Sequence, residues 1–227
     1  MAQADGEGRR LVVTGAAGVL GQAVGALARQ RGWQVVGIDF AAASANTVIG
    51  GVDLAEPQAA AAVLDRAAAR LGGGIDALAC VAGGFAWEPL GSDSAATFER
   101  MWRLNLLTAI NACAAALPHL SAPGGAIVLV GAASALKAGA GVAAYAGAKA
   151  AVHRLVEALA EEQKPRGIRV NAVLPSIIDT PANRADMPDA DFARWVRPDE
   201  VAQAMLFLAS PAASGITGAL LPVTGRV

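Results

Sequence analysis

The chain has few of the residues that mark disulfide-bonded, metal-binding or nucleic-acid-binding proteins. Its two cysteines, Cys80 and Cys113, fall in apolar segments and match no metal-ligand spacing. We therefore expect reduced, buried thiols, a cytoplasmic protein and no bound metal. Charged residues make up only 16% of the chain and the formal net charge is −1. This balance argues against a nucleic-acid partner and against a polybasic membrane-binding patch.

Long hydrophobic runs are also absent, although 55% of the residues are hydrophobic. The longest stretch without Asp, Glu, Lys or Arg covers residues 104–136 and is interrupted by asparagine, proline, histidine and glycine. No apolar run of about 18 residues therefore remains to span a membrane. Residues 1–10 are polar and lack the hydrophobic core of a signal peptide. We expect the 227 residues to form a single domain with no membrane partner.

Short strand-like runs alternate with helical patterns along the whole chain. This order predicts an α/β fold, a single doubly wound parallel sheet of the Rossmann type with helices on both faces. Residues 1–9 are expected to be flexible, and residues 175–197, which are rich in proline, are expected to form a substrate loop or lid. The predicted strands are residues 11–14, 33–39, 47–51, 75–81, 126–130, 168–174 and 219–223. The predicted helices are residues 57–71, 94–117, 145–163 and 198–209, with another that ends near residue 32.

The first predicted strand runs directly into a glycine-rich turn, residues 15–21, with glycines at positions 15, 18 and 21. A strand, such a turn and then a helix are the context of a dinucleotide-binding fingerprint. The glycines allow a tight turn, and the helix N-terminus offers free N–H groups to a pyrophosphate. The triplet is a weak signal alone, because the chain contains 26 glycines.

Asp39 strengthens this interpretation, because it stands at the end of the second predicted strand. A carboxylate there can accept hydrogen bonds from the adenosine ribose hydroxyls and would repel a 2′-phosphate. The position therefore favours NAD(H) over NADP(H). The alternative is a strand-end aspartate that only caps a turn.

Tyr145 and Lys149 are four residues apart in a helical pattern, so their side chains share one helix face. A Lys ammonium beside a phenol is expected to lower the Tyr pKa and to provide a proton donor and acceptor near neutral pH. The same spacing also occurs on ordinary solvated helix faces. The pair gains weight from the nucleotide-binding signature that precedes it.

Together these motifs resemble, in order and spacing, those of the short-chain dehydrogenase/reductase family over essentially the whole chain. They are Thr14-Gly15-x-x-Gly18-x-x-Gly21, Asp53-Leu54, Ala82-Gly83, Asn105 and Tyr145-x-x-x-Lys149. The resemblance implies hydride transfer with a nicotinamide cofactor, Tyr145 as acid/base, Lys149 holding the nicotinamide ribose, and Asn105 holding a water in a proton relay. The cofactor contacts that it implies are Gly15, Gly18, Val19, Leu20, Asp39, Phe40, Asp53, Leu54, Ala82, Gly83, Tyr145, Lys149, Pro175, Ile178 and Thr180.

One departure from the family is chemically important. Most members have a serine 13 residues before the tyrosine, where it polarises the substrate carbonyl, and this chain has Ala132 there. Ser134 stands two residues later and could replace that serine only if the loop is rearranged. The quinonoid dihydropteridine reductases are a branch of the family without this serine. The chain also resembles them in Val81-Ala82-Gly83-Gly84 and in the loop from Asp179 to Phe192, but it has Phe85, with Trp87 close by, where they place a tryptophan.

Three functional hypotheses follow. The first is an NADH-dependent reductase of the dihydropteridine-reductase type, with a pterin, imine or quinonoid substrate. The second is a general short-chain dehydrogenase that acts on an alcohol or carbonyl, with Ser134 or a backbone donor replacing the missing serine. The third is a non-catalytic NAD(H)-binding sensor, which would not need Tyr145 or Lys149.

The two long predicted helices, residues 94–117 and 145–163, are apolar on more than one face. A helix of this kind must bury a second face beyond its own sheet. In the resembling family these helices pair with their copies across a two-fold axis. We therefore expect a homodimer or a homotetramer that acts on a small-molecule substrate.

Overall fold

A computed structural model describes residues 8–42 and 47–227 of the chain. Most of the segment predicted to be flexible, residues 1–7, lies outside the described residues. The last two residues of that segment are described. The Gly8 N–H donates to the Gly32 carbonyl, and the Arg9 guanidinium donates to the Asp76 carbonyl at 3.0 Å.

Seven parallel strands form one sheet, as the alternating pattern predicts. The strands are β1 (Arg10–Thr14), β2 (Gln34–Ile38), β3 (Val48–Ile49), β4 (Ala77–Cys80), β5 (Ala126–Val130), β6 (Arg169–Pro175) and β7 (Leu220–Val223). Their spatial order is β3-β2-β1-β4-β5-β6-β7, and every pair is parallel. The predicted doubly wound α/β sheet is therefore confirmed.

The helices cover both faces of this sheet. They are α1 (Val19–Gln30), α2 (Pro57–Arg70), α3 (Ser94–Trp102), α4 (Thr108–Ala116), α5 (Ala143–Gln163), α6 (Pro181–Asp186) and α7 (Pro198–Ala209). Successive side chains of a strand point to opposite faces, and β1 shows what this does. Leu11 and Val13 pack with α1 and α7, whereas Val12 packs into the other core with α2, α4 and α5.

The predicted helix at residues 94–117 contains an unpredicted irregularity. A π-helical turn, Arg103–Leu107, joins α3 to α4 without a break in the helical run, and Asn105 lies inside it. A π turn inserts an extra residue per turn and is frequent at functional sites, because it re-aims a side chain within a helix. Neither composition nor periodicity marks this turn in the sequence.

The predicted lid, residues 175–197, contains more regular structure than expected. It includes the short helix α6 and a 3₁₀ turn, Phe192–Arg194, and Ile178 forms a parallel bridge with Val196. The Arg184 guanidinium pairs with Asp179 and stacks over the Phe192 ring, 4.7 Å from its centroid. The segment is therefore held to itself at both ends.

The cysteines are free and buried, as predicted, with their sulfur atoms 3.9 Å apart. Within the two described stretches of chain, no helix is long and apolar enough to cross a membrane. The same residues contain no cluster of three or more His, Cys, Asp or Glu side chains that could hold a metal ion.

Candidate active site

The candidate site lies at the carboxyl ends of β1 and β4, where the strand order reverses direction. Neighbouring strands from which the chain leaves in opposite directions open a crevice at this edge of a parallel sheet. The glycine-rich turn follows β1, and residues 81–84 follow β4. The Thr14 hydroxyl joins the two segments, because it accepts the N–H groups of Val81 at 3.1 Å and Ala82 at 3.2 Å.

The glycine-rich turn leaves no room for a side chain at Gly15 or at Gly21. Gly15 has φ +67°, and a Cβ there would lie 2.8 Å from the Ala82 backbone. A Cβ on Gly21 would lie 2.1 Å from the Gly15 carbonyl oxygen. Gly18 precedes α1 and provides no side-chain cap, so N–H groups of the first helical turn remain free for an anion. This bare cradle fits the pyrophosphate of a dinucleotide; Val19 and Leu20, the first helical residues, lie where the resemblance places cofactor contacts.

Asp39 lies beside this turn, just past the end of β2. Its carboxylate accepts hydrogen bonds from the Ala17 N–H and the Ala41 N–H, each at 2.8 Å. These bonds fix the carboxylate next to the cradle. Phe40 is 75% exposed at the same edge and makes an open apolar surface.

The Asp53 carboxylate is already bonded within the chain. It accepts the Ala55 N–H at 2.9 Å and the Arg103 guanidinium at 2.7 Å, and both interactions hold its pKa below the usual range. The neighbouring Leu54 side chain is buried in the core. Both residues of this pair are therefore engaged within the chain.

Tyr145 and Lys149 lie one turn apart on α5, as predicted. The Lys149 ammonium nitrogen is 5.9 Å from the centroid of the Tyr145 ring and donates a hydrogen bond to the Val130 carbonyl at 2.8 Å. Burial raises the pKa of Tyr145 to about 12 and lowers the pKa of Lys149 to about 8. The shift of the tyrosine pKa is opposite to the one expected from the sequence, because burial removes water from around the phenolate.

Asn105 holds the loop that follows β4. Its side-chain oxygen accepts the Gly84 N–H at 3.2 Å, and its side-chain nitrogen donates to the carbonyls of Gly84 and Met101, each at 3.0 Å. A Cβ on Gly83 would lie 2.6 Å from the Asn105 oxygen and 3.4 Å from the Lys149 nitrogen. The structure therefore assembles Gly83, Asn105 and Lys149 in one place.

Ala132, at the position of the missing serine, has no hydroxyl and is also buried. Ala132 is 3% exposed, and its N–H donates to Nε2 of His153, one turn after Lys149, at 3.3 Å. Ser134 lies in the 3₁₀ turn that directly follows Ala132, Ala133–Ala135. The Ala132 N–H is therefore engaged within the chain.

Two aromatic side chains border the site and were not among the predicted site residues. The Phe85 ring packs edge-on against Tyr145 with centroids 5.0 Å apart, and the Trp87 indole N–H donates to the Ala140 carbonyl at 3.1 Å. Both rings are more than half exposed. The resemblance to the dihydropteridine reductases, which place a tryptophan here, is the signal that points to these two residues.

The remaining predicted cofactor contacts lie at the start of the lid. Pro175 ends β6, Ile178 forms the bridge with Val196, and Thr180 caps α6 by accepting the Asn183 N–H at 3.2 Å. A cavity of about 390 Å³ lies on this segment, apart from Tyr145. It is lined by Asp179, Arg184, Phe192, Ala193, Trp195, Arg197 and Arg226.

Comparison with known proteins agrees with this geometry. The family described as Enoyl-(Acyl carrier protein) reductase matches residues 15–225. A solved short-chain dehydrogenase/reductase from Brucella melitensis superimposes with a TM-score of 0.88, is 29% identical, and the match covers 98% of both chains. The chain belongs to the short-chain dehydrogenase/reductase family. It is therefore an oxidoreductase of a family that uses a nicotinamide cofactor.

The proteins that this chain resembles include several dehydrogenases. Cis-4-hydroxycyclohexanecarboxylate dehydrogenase from Sinomonas cyclohexanicum is 38% identical, over 96% of this chain and 95% of its own. Dihydropteridine reductase from Dictyostelium discoideum is 31% identical, over 86% of this chain and 85% of its own. A short chain dehydrogenase from Burkholderia cenocepacia, solved in complex with NADP, is 30% identical with a TM-score of 0.88, covering 97% of this chain and 98% of that one.

Proposed function

We propose that the chain is an NADH-dependent reductase of the dihydropteridine-reductase type, which reduces a conjugated imine or quinonoid ring. Ala132 is the observation that carries this proposal. Reduction of a ketone builds negative charge on one oxygen, which a serine and the tyrosine would share. Reduction of a quinonoid dihydropterin needs a proton at nitrogen, and Tyr145 alone can supply one.

The hydrogen bonds around Ala132 support the same choice. No hydroxyl is present at this position, and the backbone N–H that could replace it donates to His153. Tyr145 has a pKa of about 12, so at neutral pH it is a phenol that carries the proton the reaction needs. A site with one proton donor and no second oxyanion donor fits reduction at nitrogen better than reduction of a simple carbonyl.

In this mechanism Tyr145 donates the proton, and Lys149 positions the nicotinamide ribose. Lys149 is fixed by its bond to the Val130 carbonyl and lies where the resemblance places the nicotinamide ribose. Asn105 holds the Gly84 backbone and so fixes the position of the loop after β4 relative to α5. The cofactor, when bound, supplies the hydride.

The residues of the crevice also support a preference for NAD(H). Asp39 is held beside the glycine-rich turn, where a 2′-phosphate would bring a second negative group close to it. At about 4 Å and an effective dielectric constant of about 20, each pair of like unit charges costs about 4 kcal/mol before screening. Phe40 follows directly and offers no positive charge.

The test of the proposed reaction is NADH oxidation in the presence of quinonoid dihydropterin, with cyclohexanone as the simple ketone. We expect turnover with the pterin and little with the ketone. Ala132→Ser should raise the rate with the ketone without raising the rate with the pterin, whereas Ala133→Ser serves as the neighbouring control. Turnover of the ketone alone by the unaltered chain would contradict the proposal.

The alternative is an alcohol or carbonyl dehydrogenase, which the named activity of the 38% identical relative favours. Ser134 would then supply the second hydrogen bond, after movement of the turn that carries it. Oxidation of cyclic secondary alcohols with NAD, lost in Ser134→Ala, would support this function. A screen of ketones and secondary alcohols that finds no turnover would count against it.

We also propose that the chain assembles into a homodimer or homotetramer. Large apolar side chains remain exposed on α3, the π turn and α4, namely Phe98, Trp102, Leu104 and Ile110. A second copy that contributes the same face would cover them symmetrically. Light scattering at micromolar concentration should find a dimer or tetramer, and a 22.7 kDa particle would contradict this expectation.

A further inference from the structure

His153 is a buried histidine that the proposed reaction does not use. It lies on α5 one turn after Lys149, is 1% exposed, and has Nε2 at 3.3 Å from the Ala132 nitrogen. The ring therefore joins the catalytic helix to the backbone that follows β5. This backbone carries the position where most of the family has its serine.

The contact determines which ring nitrogen of His153 carries the proton. The Ala132 N–H can only donate, so Nε2 must present its lone pair and the proton of the neutral ring must lie on Nδ1. A protonated imidazolium has no lone pair, and it would place two N–H groups against each other. The hydrogen bond therefore exists only while the ring is neutral.

The neighbouring glycine shows how closely the ring fits. A Cβ on Gly131 would lie 2.5 Å from the His153 Nε2 and 3.3 Å from the Leu174 side chain. The ring occupies the space that a side chain at position 131 would need. Removal of the ring would leave the Gly131–Ala132 backbone without this support and would free the Ala132 N–H.

We propose that His153 is a positioning residue, whose neutral ring holds the Gly131–Ala132 backbone against the helix that carries Tyr145 and Lys149. The inference rests on the proposed function, because it assumes that this helix carries the proton donor. By engaging the Ala132 N–H, His153 also keeps a second hydrogen-bond donor away from the substrate. With no serine hydroxyl and with the Ala132 N–H bonded to His153, Tyr145 is left as the proton donor to the substrate.

The charges around His153 favour the neutral ring. Burial lowers its pKa below the ordinary 6.5, and Arg154 and Lys149 lower it further, whereas Glu157 raises it. All three charged groups belong to α5. β5 has no titratable residue, and the one titratable residue of β6, Arg169, lies at the far end of that strand, bonded to the carbonyls of Leu208 and Ser210.

The first test compares His153→Leu, which fills the space without an acceptor, with His153→Gln, whose side-chain oxygen can accept the Ala132 N–H. We expect His153→Leu to lower kcat about tenfold or more while the Kd for NADH stays unchanged, since small displacements of a reacting group cost rate rather than cofactor binding. His153→Gln should recover most of the loss. Equal kcat in wild type and His153→Leu would overturn the inference.

The second test is the pH profile of kcat. Tyr145 and Lys149 have pKa values of about 12 and about 8, so neither produces an acid limb below pH 6.5, and such a limb should report His153. This limb should disappear in His153→Gln. Arg154→Gln should move it to higher pH and Glu157→Gln to lower pH, with neutral-pH turnover and oligomeric state unchanged. An acid limb that survives in His153→Gln would overturn the inference.

A third measurement is independent of turnover and so separates failure of this inference from failure of the proposed function. Nitrogen NMR of the ¹⁵N-histidine-labelled wild-type chain should show His153 as the Nδ1–H tautomer. The Ala132 amide should exchange slowly with solvent in wild type and at least tenfold faster in His153→Leu, because a hydrogen-bonded amide exchanges only on opening. The Nε2–H tautomer, or unchanged exchange in a folded His153→Leu, would refute the contact whichever substrate is found.

Discussion

Asp76, at one edge of the parallel sheet, and the Tyr145–Lys149 pair, at the other, differ in how their charges are satisfied. At the amino ends of the strands, the Asp76 carboxylate accepts the Arg10 guanidinium at 2.8 Å, the Arg10 N–H at 2.9 Å and the Ser121 hydroxyl at 2.6 Å. At the carboxyl ends, Lys149 is held by one backbone carbonyl. The Tyr145 hydroxyl makes no hydrogen bond with any residue that the structure describes.

The difference separates groups that stabilise the fold from groups that are available to a ligand. Burial acts against the charge of Asp76, but the hydrogen bonds from Arg10 and Ser121 outweigh it and hold the carboxyl pKa well below its usual range. At the other edge burial is the dominant cause, opposed at Lys149 only by Cys80, and it shifts the pKa values of both Tyr145 and Lys149 toward their neutral forms. Polar groups that the fold satisfies contribute stability, whereas groups left unsatisfied are free to meet a ligand.

Tyr145→Phe should produce the largest effect, on activity alone. Loss of a general acid lowers rates by about 10²–10⁴-fold, and we expect a fall in kcat of about 10³-fold. The free energy of unfolding should change by less than about 1 kcal/mol, because the hydroxyl gives up no hydrogen bond within the described chain. Steady-state kinetics and urea unfolding measure the two quantities. Residual turnover within tenfold of wild type would contradict the assigned role.

Asp76→Asn should do the reverse. Removal of the carboxylate leaves the Arg10 guanidinium without its partner and should lower the free energy of unfolding by about 2–4 kcal/mol, while the folded fraction keeps its kcat. The pKa of Asp76 is lowered from 3.8, so its contribution is present above pH 3.8 and is lost as the pH falls below it. The difference in the free energy of unfolding between wild type and Asp76→Asn should therefore become smaller below pH 3.8. Asp65→Asn, at a carboxylate whose side chain is 70% exposed, is the control and should change stability little.

Lys149→Met should stabilise the chain while it lowers turnover. The pKa of Lys149 falls from 10.5 to about 8, and such a shift corresponds to about 3 kcal/mol of burial cost at pH 7, part of which is offset by the bond to Val130. We expect a gain of about 1–3 kcal/mol in urea unfolding at pH 7. The unfolded chain binds more protons between pH 8 and 10.5, so wild type should gain stability across that window and approach the variant. A destabilised Lys149→Met would show that the ammonium is not isolated by burial.

Asp39→Ala should have the smallest effect, on the choice between cofactors. Titration of wild type with NADH and NADPH should show at least a tenfold preference for NADH, which corresponds to about 1.4 kcal/mol. The variant should lose this preference, because no carboxylate then faces a 2′-phosphate. Equal affinities in wild type would show that Asp39 does not lie at the ribose.

Much of the fold could be predicted from local sequence signals. β5 and α7 have the predicted bounds, Ala126–Val130 and Pro198–Ala209, because a β-branched apolar run and a proline at the first helical position are strong short-range signals. The glycine-rich turn could also be predicted, since only glycine fits so close to the Ala82 backbone. The helical spacing alone places Tyr145 and Lys149 on one face.

The missed features depend on residues far apart in the chain. The π turn at Asn105 follows no local composition rule, although it aims the amide at Gly84. The contact between Ala132 and His153 joins residues 21 positions apart, and no spacing rule connects them. Phe85 reaches Tyr145 only because the loop after β4 folds over α5.

Local sequence establishes the succession of strands and helices along the chain, the glycine-rich turn after β1 and the spacing of the tyrosine and the lysine. These properties depend on propensity and sterics within a few residues of one another. The direction in which the Tyr145 pKa moves, the partner of the Ala132 N–H and the orientation of Asn105 depend instead on the packing of distant segments. The reason is physical: the loss of water around a group, and the partner that replaces that water, depend on which distant segments pack against it.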